Sequence, residues 1–468
     1  MSNDTGLDRR ALLKAGALLG AGLAMPGCAT SSNTSPAAAQ KPAHLLIRHA
    51  TILSMDPQLG DIRDGDVRIR DGLIVAVGKQ LPIEGATVLD ATGMILIPGI
   101  VDTHWHLWNS LMRNSAPVRG EAFFKTQLAL SKRLTPELSA LGVRLGLAQA
   151  TAAGITTVNN WAHNIRNPAF AYAELQALVQ SGLRSRMWYG YPQELAATAP
   201  MDFNDIQRFQ KQLEAPAYRR VDLGMAIRGP ERTEANIWQQ EFAFARQHAL
   251  PVSTHIGVTR QAQQKKAIQQ LARLGLLSPD LQLVHATHVD AADLQAIAHS
   301  GATVCLTPLT EMRIGYGLPP VMALHDARVP LSLGIDTLVL SGNANPFMVM
   351  QTTLNLATAM SENEAALTAA DVLYWATQGG ADSMGLGKVI GSITVGKRAD
   401  LALIDGHRLG IAPITDATAS VVQSATPNDV DTVIAEGRLL KQGGKLLEVD
   451  TEKLANEAIE GWLAISRS

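Results

Sequence analysis

The hydrophobic texture of the chain changes twice along its length. From Leu45 to Leu89 the apolar residues come in short β-rich runs, Leu45 to Ile47, Val67 to Ile69 and Leu73 to Val77, broken at Asp64-Gly65 and Asp71-Gly72. Turn-forming pairs between short apolar runs predict the hairpins of a small sheet. After Ile95-Leu96-Ile97-Pro98-Gly99, apolar strands alternate with helical stretches. Strands are expected to end near His104, at Ile155 to Val158, Arg186 to Tyr189, Leu223 to Ile227, Val252 to His255, Gln282 to His285, Thr303 to Leu306 and Leu331 to Asp336. Eight strands with intervening helices predict an α/β fold, the (β/α)8 or TIM barrel. The β-rich texture returns at Gly391 to Gly396, Asp400 to Ile404, Val433 to Ala435 and the Gly443-Gly444 turn. Two such flanks can pair into one small β-sandwich domain. The expected organisation is an export signal and tether over 1–40, the first part of the sandwich over 41–97, the barrel over 98–385, and the second part with a C-terminal helix over 386–468.

Composition narrows the partners. The 468 residues are 46% hydrophobic and 18% charged, the profile of an ordinary folded protein. Lys and Arg number 40 against 42 Asp and Glu, with no long run of either sign. Nucleic acid binding needs concentrated positive charge, so a small molecule is the expected partner. With only Cys28 and Cys305 present, a disulfide framework and a cysteine-based zinc site are both excluded, and any metal must be held by His and carboxylate. The sequence leaves a homo-oligomer open.

The N-terminus has the layout of an export signal. Arg9-Arg10-Ala11-Leu12-Leu13-Lys14 precedes a Gly/Ala-rich apolar run through Ala24, which resembles a twin-arginine (Tat) leader and predicts a periplasmic or lipid-anchored protein. The run is short of the roughly 20 strongly apolar residues that span a bilayer. Met25-Pro26-Gly27-Cys28 is similar to a lipoprotein processing box, although Pro26 departs from the usual small residue. Membrane association is therefore expected only through a lipid on Cys28.

The candidate chemistry sits where strands end. In a parallel barrel the carboxyl ends of the strands converge on one face, so residues that close different strands become neighbours. His104 and His106, two apart on an extended segment, point to the same side and can chelate one ion. His255 closes Leu250 to Thr254, and Asp336 closes Leu331 to Ile335. Three imidazoles and a carboxylate suit one divalent metal, with Zn²⁺ favoured and Fe²⁺ or Mn²⁺ as alternatives, and leave a position open for water. A lone strand-end histidine is more often a core or loop residue; four such residues in order are harder to explain that way.

The segment Pro98-Gly99-Ile100-Val101-Asp102-Thr103-His104-Trp105-His106, with His255, His285, Gly334-Ile335-Asp336 and the closing Gly391 to Asp405, resembles the amidohydrolase superfamily over nearly all of the mature chain. More narrowly it is similar to the branch containing cytosine deaminase, S-adenosylhomocysteine deaminase and triazine hydrolases. The resemblance implies one metal held by His104, His106, His255 and Asp336, Asp336 also as proton acceptor from the metal-bound water, and His285 beside the substrate. A bound divalent ion lowers the pKa of its water toward about 7, which would let hydroxide attack a C–N bond. His285 is expected to polarise a carbonyl or leaving group, with His288 in the following turn, against the substrate or solvated at a helix start.

Two absences shape the reading. No lysine ends the fourth strand, where Ala226-Ile227-Arg228-Gly229 stands, so a carbamylated lysine bridging two metals is not expected. The branch usually carries a glutamate three residues after the fifth-strand histidine, and here that position is Val258. Ring deamination benefits from such a proton donor, so hydrolysis of an amide, urea or carbamate is the leading expectation, and deamination or dechlorination of an N-heterocycle the second. Glu311 could replace the missing carboxylate, or be a surface residue paired with Arg313. Trp105, Trp108, Trp161, Trp188 and Tyr189 suit either a flat apolar substrate or packing between helices and sheet. Arg228 could meet a substrate carboxylate or pair with Glu231. A catalytically inactive, substrate-binding lipoprotein could keep the barrel, but it would have no chemical need for all four ligands.

Overall fold

The computed structural model describes residues 44–115 and 122–467. The export signal, the Met25 to Cys28 box and the tether all lie outside the described residues. Eight parallel strands form one sheet: Ile100–Trp105, Ile155–Ala162, Arg184–Tyr189, Val221–Ala226, Val252–Ile256, Leu281–His285, Thr303–Leu306 and Leu331–Leu333. They neighbour one another in chain order. All but one of the strands are buried along their whole length, as expected where helices cover a parallel sheet. The last strand meets the first through a bridge between Trp105 and Asp336, with Asp336 N–H donating to the His104 carbonyl at 2.8 Å and His106 N–H to the Asp336 carbonyl at 2.6 Å. The expected (β/α)8 barrel is thus nearly closed at the candidate ligands themselves.

Local sequence explains where the covering helices begin and stop. The Asn167 side chain accepts from Ala169 N–H, Pro168 occupies the first turn, and Gly182 ends the helix Pro168–Ser181 at φ 76°. Asp290 and Asp293 cap each other's backbone at the start of Ala291–Ser300, which ends on Gly301 at φ 73°. Gly334 serves a different need: a Cβ there would stand 2.7 Å from the His104 carbonyl oxygen and 3.1 Å from Cys305 Sγ. Only glycine lets the eighth strand's exit lie this close to the first strand.

The two β-rich flanks do pair. Met94–Pro98 and Leu401–Asp405 run antiparallel, joining the N-terminal and C-terminal strands into one nine-stranded sheet. Instead of two separate sandwich layers, the hydrogen bonds run continuously from Lys445–Leu446 at one end to Leu73–Gly78 at the other. Leu45, Ile47, Val67, Ile69, Leu96, Leu401 and Leu403 form its own apolar core, while Ala402, Ile404, Val430 and Val433 alternate onto the core shared with the barrel. The expected C-terminal helix is Thr451–Ser466.

Candidate metal centre

Period-two alternation on the first strand sends His104 and His106 into the barrel mouth and Trp105 outward, where its ring lies over Gly146 of the helix Pro136–Ala152. The fifth strand delivers His255, and the turn after the eighth delivers Asp336, whose φ of 65° is unusual for a residue other than glycine. Their polar atoms converge. His104 Nε2 lies 3.2 Å from His255 Nε2 and 3.3 Å from Asp336 Oδ1, and His106 Nε2 lies 3.2 Å from the same oxygen. His104, His106 and His255 each offer a ring nitrogen within 4.8 Å of the others.

These groups fit a cation. His106 Nδ1 faces the Trp161 carbonyl at 3.0 Å and donates to it, so its Nε2 keeps the lone pair turned toward Asp336. Burial lowers the His104 imidazole to about 3, against the raising pull of Asp336. Burial, aided by the neighbouring His104 and His285, also holds His255 well below the ordinary histidine range. Burial raises the Asp336 carboxyl, but the adjacent His104 and His106 rings outweigh it and keep the group well below the ordinary carboxylate range. Neutral imidazoles at His104 and His255 and an anionic carboxylate gathered out of water need a positive centre between them.

Beneath the cluster runs a polar layer. Trp161 Nε1–H donates to Ser253 Oγ at 2.9 Å, Ser253 to Gln282 Oε1 at 2.8 Å, Gln282 Nε2 to the Thr103 carbonyl at 2.9 Å, and Thr103 to Ser332 Oγ at 2.9 Å. The Asp102 carboxylate accepts from Ile335 N–H at 2.7 Å and His104 N–H at 3.2 Å. These bonds tie the strands that carry the ligands to one another.

A cavity opens above the cluster, lined by His106, His255, His285 and Asp336, with Trp108 and Tyr316 as aromatic walls. Of the residues singled out from sequence, Trp108 lines it; Trp105, Trp161, His288, Arg228 and Glu311 do not. The Trp161 ring packs behind His255 at 4.2 Å between centroids, where it supports the ligand histidines. Trp188 and Tyr189 are buried, the Tyr189 hydroxyl bonded to Asp205, which is the packing role. His288 ties two loops together, its N–H donating to the Gly257 carbonyl at 2.8 Å and its Nε2 to that of Tyr316 at 2.7 Å. Arg228 turns its Nη donors to the carbonyls of Leu195 and Ala196 at 2.8 Å and of Ala199, and stands 3.6 Å from Glu241. It is therefore neither free for a substrate carboxylate nor paired with Glu231. Glu311 is fully buried and turned to His285, not on the surface with Arg313.

Sequence reasoning passed over His163, Arg232 and Gln193, which also line the cavity. His163 follows the second strand directly, and the strand-end rule that selected Trp161 would have found it. Arg232 lies in the loop after the fourth strand, where nothing in the spacing distinguishes it from Arg228.

The comparisons agree with this architecture. The model of the Amidohydrolase family matches residues 95–440. The 5'-deoxyadenosine deaminase of Methanosarcina mazei is 27% identical over 430 residues, covering 89% of this chain and 97% of that protein. The 5-methylthioadenosine/S-adenosylhomocysteine deaminase of Pelotomaculum thermopropionicum is 26% identical over 429 residues, 89% of this chain and 97% of that one. Among solved structures, an adenosine deaminase from Xanthomonas campestris with bound zinc superposes with a TM-score of 0.81 at 25% identity, over 92% of this chain and 100% of that chain. The zinc complex of atrazine chlorohydrolase from Arthrobacter aurescens has a TM-score of 0.79 at 20% identity, covers 89% of this chain and 100% of its own, and shows the shared fold.

Proposed function

The chain belongs to the amidohydrolase family, and from that premise we propose that it hydrolyses a C–N bond of a small N-heterocycle using one divalent metal held by His104, His106, His255 and Asp336. The observation that carries this reading is the convergence of three imidazole nitrogens within 4.8 Å of one another, with the Asp336 carboxylate oxygen 3.3 Å from His104 and 3.2 Å from His106. Zn²⁺ is the favoured ion, because three nitrogens and one oxygen suit it and the two solved neighbours contain it. When bound, such an ion polarises a water molecule so that it reacts near neutral pH.

The chain's own residues supply the rest. Asp336, kept anionic by His104 and His106, accepts a proton. Trp108 and Tyr316 give the cavity aromatic walls that match a flat ring. His285 lines the cavity beside the metal ligands and stands next to the reacting group. The names of the relatives favour release of an amine from a purine-like heterocycle over hydrolysis of an amide, urea or carbamate. Val258, buried and apolar where the family resemblance calls for a glutamate, favours the second reading.

A substrate panel separates the two. Zinc-loaded protein is offered aminopurine nucleosides, aminopyrimidines, cyclic amides and cyclic ureas, with ammonia and ring opening followed separately. Stoichiometric ammonia from at least one heterocyclic amine is expected. Ring opening without ammonia would replace this reading with the amide and urea one, and no turnover across the panel by fully metallated protein would sink both.

A further inference from the structure

Among the described residues the buried Glu311 carboxylate pairs with no lysine or arginine; the titratable group it meets is His285. Its Oε1 accepts from Thr307 N–H at 2.9 Å, lies 3.4 Å from Thr307 Oγ1, and stands 3.3 Å from His285 Nδ1. Its Oε2 has no hydrogen-bond partner among the described residues. Leaving a carboxylate buried and half-satisfied costs free energy. The fold also holds His285 at φ 74° and Ala286 at φ 46°, consecutive left-handed residues that are not glycine. Such residues are strained and persist where the surroundings impose them.

We infer that Glu311 is a positioning residue that fixes the proton of His285 on Nδ1, so that His285 meets the substrate through Nε2 as a hydrogen-bond acceptor. The inference rests on the metal-hydrolase reading of the same site. Oε1 already receives the Thr307 N–H, so it faces Nδ1 as an acceptor whether or not Oε2 carries a proton. The Thr307 hydroxyl, 3.0 Å from Nδ1 and 3.4 Å from Oε1, turns its hydrogen either way, whereas Oε1, already receiving the Thr307 N–H, accepts; the Nδ1 that faces it at 3.3 Å therefore donates. A neutral imidazole with its proton on Nδ1 has a bare Nε2, and Nε2 is the ring nitrogen left for the cavity that His285 lines.

The sequence expectation for His285 is thereby reversed. A residue that polarises a carbonyl must donate, whereas a bare Nε2 receives an N–H. The ligand it selects carries an amino or ring N–H at the reacting carbon, the chemistry of an aminoheterocycle. It discriminates against an ester or a ring that presents only acceptors there.

Long-range proton–nitrogen correlation spectra of zinc-loaded protein with nitrogen-15-labelled histidine read the tautomer directly, the His285 signals being identified by their loss in His285→Gln. The wild type is expected to show Nδ1 protonated and Nε2 bare. Glu311→Leu should release the ring to a mixture of tautomers and lower kcat by roughly 10- to 100-fold with KM little changed, the scale seen when a supporting hydrogen bond to a site histidine is lost. Glu311→Gln, whose amide oxygen can still accept both N–H groups, should restore the wild-type tautomer and most of kcat. Protonation at Nε2 in the wild type, metal coordination by Nε2, or an unchanged tautomer in Glu311→Leu would overturn the inference. If the leucine variant does not fold, the wild-type spectrum alone decides. The spectra need no substrate, so absent turnover would count against the hydrolase reading and not against the tautomer.

Discussion

At the amino-terminal ends of the barrel strands, Arg184 reaches Asp400 at 3.3 Å and Glu436 at 3.0 Å, Arg219 reaches Glu436 at 2.8 Å, and Glu436 N–H donates to Asp400 at 2.7 Å. At the carboxyl-terminal ends, His104, His106, His255 and Asp336 are equally buried, yet no arginine or lysine is paired with them among the described residues. Both ends take ionisable groups out of water. At the first, each charge meets its opposite and the result joins the β-sheet to the barrel. At the second, electron-pair donors face one another, and the missing partner is a cation from outside the chain. Buried polarity thus has two meanings, and the presence of an internal counter-charge separates them.

The sharpest break of this contrast is His104→Ala. Its Nδ1 has no partner among the described residues, so removing the ring costs them no hydrogen bond on that side. Metal content should drop well below one per chain and turnover should fall by about a thousandfold or more, the loss of several kcal/mol of metal-supplied stabilisation. Thermal stability of the metal-free forms should stay close. Full metal occupancy in the variant, read by elemental analysis, would move the site elsewhere.

Arg184→Ala should do the opposite. It strands Asp400, 3% exposed, without its cation and leaves Glu436 with Arg219 as its near partner. Breaking a buried ion pair from one side costs about 3–5 kcal/mol, so denaturant unfolding should shift by that order. The kcat of the folded fraction should be unchanged. A large fall in kcat with little loss of stability would show that the two ends are coupled and that the division drawn here is false.

Much of this contrast was legible in the sequence, and the reason is geometric. Strand ends and period-two alternation fix His104, His106, His255 and Asp336 to one face whatever the loops do. The eight observed strands accordingly fall on the expected segments, the eighth stopping at Leu333 because the chain turns at Gly334. What could not be read depends on loop paths. Trp108 reaches the cavity because a 3-10 turn, Leu107–Met112, follows the first strand. Arg228 is consumed by carbonyls of a loop some thirty residues earlier. Glu311 is interior because the short helix Pro308–Arg313 turns it toward His285, and a charged residue after a strand gives no hint of that burial. The continuous sheet, too, is a matter of register between strands some three hundred residues apart, which no local pattern encodes.

The smallest expected effect concerns a buried carboxylate that follows neither rule. Glu174 is fully buried on the helix Pro168–Ser181, and its two oxygens accept from the Ser139 hydroxyl and the Asn160 side-chain amide, each at 2.7 Å. Both donors are neutral. Burial therefore raises its carboxyl from 4.5 to about 7, although the two hydrogen bonds pull it down. An acid whose folded pKa lies above its unfolded value keeps its proton in the fold while the unfolded chain gives it up. Its contribution is fully present below about pH 4.5 and is lost as pH rises to about 7. Glu174→Gln removes the titration while keeping the shape. Between pH 5 and 8 the wild type should therefore lose about 2 kcal/mol more stability than the variant, measured by denaturant unfolding across that range. Comparing the two proteins cancels what the metal-site groups contribute, since both share them. Parallel pH curves would mean that Ser139 and Asn160 stabilise the anion as well as a cation would, and a buried charge without a counter-ion would then be no guide to a ligand.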